Sequence, residues 1–476
     1  MIENKIVQLY ENWANEKVRN IYKLPASGSY RCYYRVSSET KTCLGVHNND
    51  IRENTAFIAF TGTFQKLGLN VPEIYAVNDL DNIYLIEDFG DETLFNRIQK
   101  VRNSTKDNSE IISLYKKVLT ELPKFQVSSS QQIDYKYCYP RKQFDKQSMM
   151  WDLNYFKYYF LKLAQIPFDE QLLEEDFEKF TSFLLQADSD FFLYRDFQSR
   201  NIMIKDEVPY FIDYQGGRKG CLQYDVASLL YDAKADLNEQ TRTELLDFYL
   251  NELSKYIEVD KDTFKSFFYP FVLIRILQAM GAYGFRGFYE NKTVFLQSIP
   301  YAINNLNFIL ENIKLKTNTD YLSEVLRNLK NSKKLNQIIN TQNLNIKINS
   351  FSFKKQHPAD NSGNGGGFVF DCRALPNPGR LEYYKQLNGK DSEVIAYLEN
   401  DNNVKLFINY VFNLISISID NYIERGFENL MISFGCTGGQ HRSVYCAEQI
   451  GKMILDKYRI QPDIYHIEQS KRNNIE

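Results

Sequence analysis

Residues 191–217, FFLYRDFQSRNIMIKDEVPYFIDYQGG, decide how the chain is read. Asp196 stands five positions before Asn201, and Asp213 follows a short apolar run. A transferring phosphoryl group is stabilised by position and charge more than by covalent chemistry. It therefore needs a carboxylate to orient the acceptor hydroxyl and oxygen ligands for magnesium. Asp196 suits the first task, Asn201 and Asp213 the second. The runs IMI (202–204) and YFI (210–212), separated by KDEVP, predict a hairpin that brings Asn201 and Asp213 to one end. A single Asp or Asn usually does no more than make a turn. Here the second carboxylate beyond the hairpin, with Arg195 before the first, points to a phosphoryl-transfer site.

The same string resembles the catalytic and metal-binding segments of the aminoglycoside phosphotransferase superfamily. Within it the likeness is to the sugar kinases of N-acetylmuramate and N-acetylglucosamine, where (H)RDFQSRN is followed by IDFQGA. Tyr194 stands where that family has His, and Tyr214 where it has Phe. The resemblance implies a protein-kinase-like bilobal α+β domain, ATP and Mg2+ as cofactors, and an amino sugar or related hydroxyl compound as acceptor.

Upstream, SGSYRCYYRVSS (27–38) and TKTCLGVHN (40–48) predict two strands, with Ser27, Gly28 and Ser29 as the turn before the first. Small residues at such a turn let backbone N–H groups approach a phosphate, and within the family resemblance this becomes the nucleotide loop. The strand expected to carry a phosphate-pairing lysine reads CLGVHN and has none. Arg31, Arg35 and Lys41 are the candidate cations, and Glu53, on a helix expected over 52–68, is the candidate partner. LIEDFGD resembles the adenine-contacting hinge, which assigns Glu87 and Asp88 to the nucleotide. Trp151, Tyr155, Tyr158 and Tyr159 either wall a sugar pocket or pack in the core. By resemblance Asp225 supports the catalytic loop from behind, and Arg275 and Arg286 are candidate substrate contacts.

A second constellation lies in NLMISFGCTGGQHRSVYCAEQIGKMILDKY (429–458). An apolar strand, a glycine loop and a helix N-terminus in succession aim backbone N–H groups and the helix dipole at an anion. His441 and Arg442 add side-chain donors. Cys436 to Ser443 also fits C-x5-R-S, the loop of cysteine phosphatases, although Gly435 stands where those enzymes carry His. The segment resembles the C-terminal domain of RapZ, whose signature is GCTGG(Q/K)HRSV, and the likeness extends over roughly 349–476. It implies a smaller α/β domain that binds a sugar phosphate through Asp371, Arg373, Cys436, Thr437, Gly438, Gly439, His441 and Arg442. Gly379 departs from it, standing where the family has His. In the full adapter that family also binds RNA. With 14 Lys plus Arg against 15 Asp plus Glu, residues 349–476 carry a net charge of -1 and little electrostatic footprint for RNA.

At 476 residues the chain exceeds one ordinary domain. Between the two constellations, residues 315–345 shift to Asn, Lys and Ser with only a short helical pattern. The expected division is a kinase-like domain over 1–320, a linker over 321–346 and a RapZ-like domain over 347–476. A net charge of -3 gives no global attraction to nucleic acid or anionic membrane. Seven cysteines without a C-x2-C argue against a disulfide framework or zinc ribbon and fit a reducing cytoplasm. No signal-peptide h-region and no apolar run of membrane-spanning length are read, and the oligomeric state stays open. Two rival readings remain: a pseudokinase regulator acting through the RapZ-like domain, and a cysteine phosphatase at Cys436.

Overall fold

The computed structural model describes residues 2–25, 31–104, 108–355, 357–360, 362–363, 367–458 and 460–469. The turn residues Ser27, Gly28 and Ser29 lie outside the described residues. The chain divides into two compact units, one of residues 1–290 with 301–329 and the other of residues 291–300 with 330–476.

The first unit opens with α1 (Ile2–Ala14), whose Ile6, Tyr10 and Ala14 recur at helical spacing and bury against the sheet that follows. That sheet is antiparallel and contains β1 (Asn20–Lys23), β2 (Cys32–Ser37), β3 (Thr42–His47), β4 (Ile74–Asn78) and β5 (Ile83–Ile86), in the order β1-β2-β3-β5-β4. Between β3 and β4 runs α2 (Ile51–Lys66), capped by Asp50, whose side chain accepts the Arg52 N–H. The cap fixes the first turn and hence the position of Glu53.

Helices α3 (Leu94–Ser104), α4 (Ser109–Pro123), α5 (Lys146–Phe156) and α6 (Glu170–Leu184) begin the second lobe. Strand β6 (Phe191–Leu193) leads into the catalytic stretch. The predicted hairpin forms from β7 (Ile202–Lys205) and β8 (Val208–Phe211), with Ile202 opposite Phe211. Its turn residues Asp206 and Glu207 have φ of 51° and 61°, the left-handed pair of a two-residue hairpin loop. Strand β9 (Arg218–Gly220) returns alongside β6. Then come α7 (Leu222–Leu230), α8 (Glu239–Leu253), α9 (Lys261–Gly284) and α10 (Ile299–Asn312).

The stretch expected as a linker is largely helical. It contains α11 (Asp320–Arg327), which buries Leu322, Val325 and Leu326, and α12 (Lys333–Asn343), which buries Leu335. Apolar residues at helical spacing outweigh the Asn- and Lys-rich composition there.

In the second unit β10 (Asn345–Ser352), β11 (Gly367–Asp371), α13 (Ser392–Glu399), α14 (Asn402–Arg425), β12 (Asn429–Cys436), α15 (Arg442–Tyr458) and β13 (Asp463–His466) follow in turn. The four strands are parallel, in the order β11-β12-β10-β13. All of β12 after Asn429 is buried, as in a parallel strand covered on both faces.

The expectation of no span-length apolar run needs correction. Lys261–Tyr289 and Asn402–Arg425 are each long and apolar enough to cross a membrane by length and composition. In Lys261–Tyr289 67% of the most apolar window is buried inside the protein, so a core-helix role explains its composition. In α14 Val404, Ile408, Val411, Ile415 and Ile419 form a buried seam, while Leu406, Tyr410, Leu414 and Ile417 are exposed.

Candidate active site and candidate anion site

The catalytic loop leaves β6 at Tyr194. Arg195 adopts φ of 80°, a strained conformation for a side-chain-bearing residue and one typical of functional turns. The strain is held from behind by Asp225, whose carboxylate accepts the N–H groups of Tyr194 (2.8 Å) and Arg195 (3.0 Å) and the Gln126 amide (3.2 Å). Burial pushes the Asp225 carboxyl up to about 7 despite these donors. Tyr194, in place of the family's His, donates its hydroxyl to the Ile212 carbonyl at 2.7 Å and so ties the catalytic loop to the segment carrying Asp213. Tyr214 is hydrogen-bonded to Thr61 and stacks on Phe57 of α2.

Asp196, Asn201 and Asp213 converge. The Asn201 amide donates to the Asp196 carbonyl at 2.9 Å and to the Asp213 carboxylate at 3.3 Å. Asp213 has φ of 69° and also accepts from Gln215 at 2.6 Å. Burial, then the neighbouring Asp213, raises the Asp196 carboxyl above the usual range, and Arg195, Arg275 and Arg218 oppose the shift. The Asn201 side-chain oxygen and the Asp213 carboxylate are hard oxygen donors, suited to Mg2+. Magnesium commonly takes only one or two protein carboxylates beside phosphate and water. Consistent with so sparse a set, the described residues contain no cluster of three or more His, Cys, Asp or Glu side chains able to hold a metal.

Of the three candidate cations, Arg31 is the one that meets both Glu53 and Asp213. Its guanidinium, with a side chain 3% exposed, lies 2.8 Å from Glu53 and 3.1 Å from Asp213. Burial works against its charge, but Tyr33, Asp213, Tyr84 and Glu53 outweigh burial and raise it further. Asn48 fixes Glu53 from the other side at 3.0 Å. Arg35 is instead held by Asp88 and Asp91, and Lys41 donates to the Ala14 carbonyl. Glu87 and Asp88 follow β5 directly, but the Asp88 carboxylate is bound to Arg35.

Sequence reasoning missed Asp152 of α5, which accepts from Arg195 at 2.7 Å while that guanidinium lies over Phe144 and Tyr224. No motif surrounds Asp152, so only tertiary packing could reveal it. Of the aromatic group, Tyr155 and Tyr159 pack on Phe285, whereas Trp151 and Tyr158 are each 47% exposed. Arg286 is paired with Glu290 at 2.8 Å.

In the second unit the eight expected residues gather at the C-terminal edge of the parallel sheet, where open α/β sheets take ligands. Asp371 ends β11 beside Gly435, and Cys436 ends β12. Gly439 has φ of 68°, and a Cβ there would meet the Glu468 side chain at 2.5 Å, so the loop needs glycine. The Cys436 thiol accepts the Gly439 N–H at 3.1 Å and lies 3.2 Å from the Ser443 hydroxyl. Burial pushes the thiol up, but Ser443 and the amides of Ser443, Gly439 and Gly438 overcome it and leave the thiol below its ordinary value. Arg442 donates to the carbonyls of Arg373 (2.8 Å) and Leu375 (3.0 Å) and to Thr437 (3.4 Å), while its buried Nε has no hydrogen-bond partner among the described residues. His441 lies 2.8 Å from the Tyr384 carbonyl, and Arg373 pairs with Asp371 at 2.7 Å. A Cβ on Gly379 would lie 3.3 Å from the His441 ring, so the departing position borders the site.

Residues 28–259 match the phosphotransferase enzyme family, and residues 344–470 match the RapZ C-terminal domain. Similar curated proteins include nucleotide-binding proteins of Fervidobacterium nodosum, 39% identical over 24% of this chain and 38% of theirs, and of Lactobacillus helveticus, 34% identical over 36% and 61%. The chain thus spans less than two thirds of the length of these relatives. Among solved structures it is similar to choline kinase LicA from Streptococcus pneumoniae (TM-score 0.43, 15% identity, 64% of this chain and 99% of that one). It is also similar to ADP-bound aminoglycoside phosphotransferase APH(2'')-Ib (TM-score 0.39, 14% identity, 68% and 96%).

Proposed function

We propose, from a chain that carries a phosphotransferase domain and a RapZ C-terminal domain, that it is an ATP-dependent kinase phosphorylating a hydroxyl of a small molecule. The acceptor is an amino sugar of the N-acetylmuramate or N-acetylglucosamine type, and the C-terminal domain holds a sugar phosphate. The observation that carries the reading is the convergence of Asp196, Asn201, Asp213, Arg31 and Glu53. Asp196 accepts the proton of the attacking hydroxyl, which its raised basicity favours. Arg31, oriented by Glu53, does the phosphate-pairing work of the missing lysine. Asn201 and Asp213 would hold Mg2+, which when bound would neutralise charge on the transferred phosphoryl group. Ser27, Gly28 and Ser29, with backbone at Glu87 and Asp88, complete the nucleotide site.

The working division is 1–320 and 347–476 with a connecting segment between, in a cytoplasmic protein whose seven cysteines are free thiols. Asp196→Ala should abolish phosphorylation while leaving nucleotide binding nearly intact. Wild-type turnover by that variant sinks the assignment of the base. The pseudokinase reading requires that no amino sugar elicit Mg2+-dependent ATP turnover. The low thiol value at Cys436 favours a phosphatase as the second alternative, and phosphate release that survives Cys436→Ser eliminates it.

A further inference from the structure

Asp225, the carboxylate that clamps the catalytic loop, is itself gripped by an irregular turn at the end of α4. Pro123 offers no N–H there, and the next turn, Lys124–Ser128, is widened, so that the Ser129 N–H reaches back five residues to the Lys124 carbonyl at 3.1 Å. Such a one-residue insertion re-aims the side chains of a helix and recurs at functional sites. Phe125 and Gln126, neighbours in sequence, are both fully buried. Phe125 meets the Tyr194 ring edge-on at 5.5 Å.

Gln126 faces three partners. Its amide nitrogen donates to the Asp225 carboxylate (3.2 Å) and to the Leu222 carbonyl (3.0 Å), and its oxygen accepts the hydroxyl of Tyr249, on α8, at 2.6 Å. These partners fix the amide's orientation, because a flipped amide would set its oxygen against two acceptors. Tyr249 is fully buried as well. Burial, then the nearby Asp225, pushes its hydroxyl far above the ordinary value, so it stays a donor.

One oxygen of Asp225 accepts from both Gln126 and the Tyr194 N–H, and the other accepts from the Arg195 N–H. A carboxylate holds these donors together only while charged, since a protonated one must place an O–H of its own among them. Burial, and with it the charge of Asp196, pushes Asp225 towards the neutral form, whereas the Tyr194 and Arg195 amides and Gln126 hold it charged. The two phenols beside it, Tyr194 and Tyr249, are kept neutral by burial.

We infer that Gln126 and Tyr249 are positioning residues of the catalytic loop: the buried chain from the Tyr249 hydroxyl through the Gln126 amide to Asp225 holds the turn at Tyr194 and Arg195 and thereby aims Asp196. Neither residue touches the reacting atoms. Arg195, held at φ of 80°, relaxes once the carboxylate lets go. The catalytic consequence rests on the kinase reading of Asp196, whereas the clamp itself does not.

Amide hydrogen exchange on the full chain, resolved to single residues by mass spectrometry, reads the clamp without any substrate. Gln126→Met keeps the side-chain bulk and deletes the amide, and Tyr249→Phe deletes only a hydroxyl. Near neutral pH Gln126→Met should speed exchange at Tyr194 and Arg195 by about tenfold or more and Tyr249→Phe by about threefold, while the amides of β3 in the same unit change little. Raising the pH recharges Asp225, so after correction for intrinsic rates this excess over wild type should shrink from about pH 7 to about pH 9. A merely structural role would show no such recovery. With Mg2+-ATP and N-acetylglucosamine or N-acetylmuramate, the variants should lose kcat by similar factors at unchanged KM for ATP. Unchanged exchange at Tyr194 and Arg195, acceleration shared equally with β3, or full kcat in a variant whose loop exchange has risen overturns the inference. Where Gln126→Met does not fold, Tyr249→Phe decides by the same comparison. No turnover of either sugar by the wild-type chain overturns the kinase reading, and the exchange result still decides the clamp.

Discussion

At the scale of single residues, Arg31 and Asp225 carry the sharpest consequences. On the proposed reading Arg31 does the work of the missing lysine, from just before β2 instead of from β3. Its long side chain makes this substitution of place possible. Arg31→Ala should lower the transfer rate about 100-fold, equivalent to about 2.7 kcal/mol of transition-state stabilisation, and Arg31→Lys should restore part of it. Steady-state kinetics at saturating ATP checks this, and an unchanged rate removes Arg31 from the site. Asp225 is an acid whose folded value is raised to about 7 from 3.8. The folded state therefore holds the proton more tightly than the unfolded chain. Its contribution is unpenalised below about pH 4 and grows steadily more unfavourable as pH rises to 7, by up to about 4 kcal/mol. Urea midpoints from pH 5 to 8 should fall with pH, with a shallower slope in Asp225→Asn. That variant should also lose activity, because an amide cannot accept from two backbone N–H groups in the same way.

Among the elements, the predicted hairpin and the strand–loop–helix of the second unit were legible because each is a local pattern. Alternating or helical spacing of apolar residues and a glycine loop specify them without distant partners. The helices α11 and α12 were not, since polar composition masked their few apolar anchors. The role of the aromatic stretch also needed a partner, because Tyr155 and Tyr159 acquire theirs from Phe285, more than a hundred residues away. Gly284 makes that contact possible: a Cβ there would meet the Tyr159 carbonyl at 2.0 Å. Gly284→Ala should force α9 away from the segment after α5 and cost about 2 kcal/mol or more, in the manner of an overpacked core. Thermal melting reads this directly, and a shift of less than one degree would show that the two segments yield freely.

For the whole molecule, two units with separate cores predict two separable ligand responses. Mg2+ with an ATP analogue at about 100 times its dissociation constant should stabilise the first unit by about 2.7 kcal/mol, and glucosamine 6-phosphate should do the same for the second. Calorimetry of the intact chain should show one transition move with each ligand. If both ligands shift both transitions together, the units are energetically coupled. Separate expression should cut with care, because residues 291–300 cluster with the second unit although they precede the last helix of the first. The sequence by itself determined the two site motifs, the order of their strands and helices, and which residues are the candidate base and metal ligands. Spacing along one short segment suffices for these. Tertiary structure alone decided that the Arg31 guanidinium meets Glu53 and Asp213 and that Asp152 anchors Arg195. Each of these depends on long side chains meeting across distant segments, where burial sets the value of a charge and no local pattern records it.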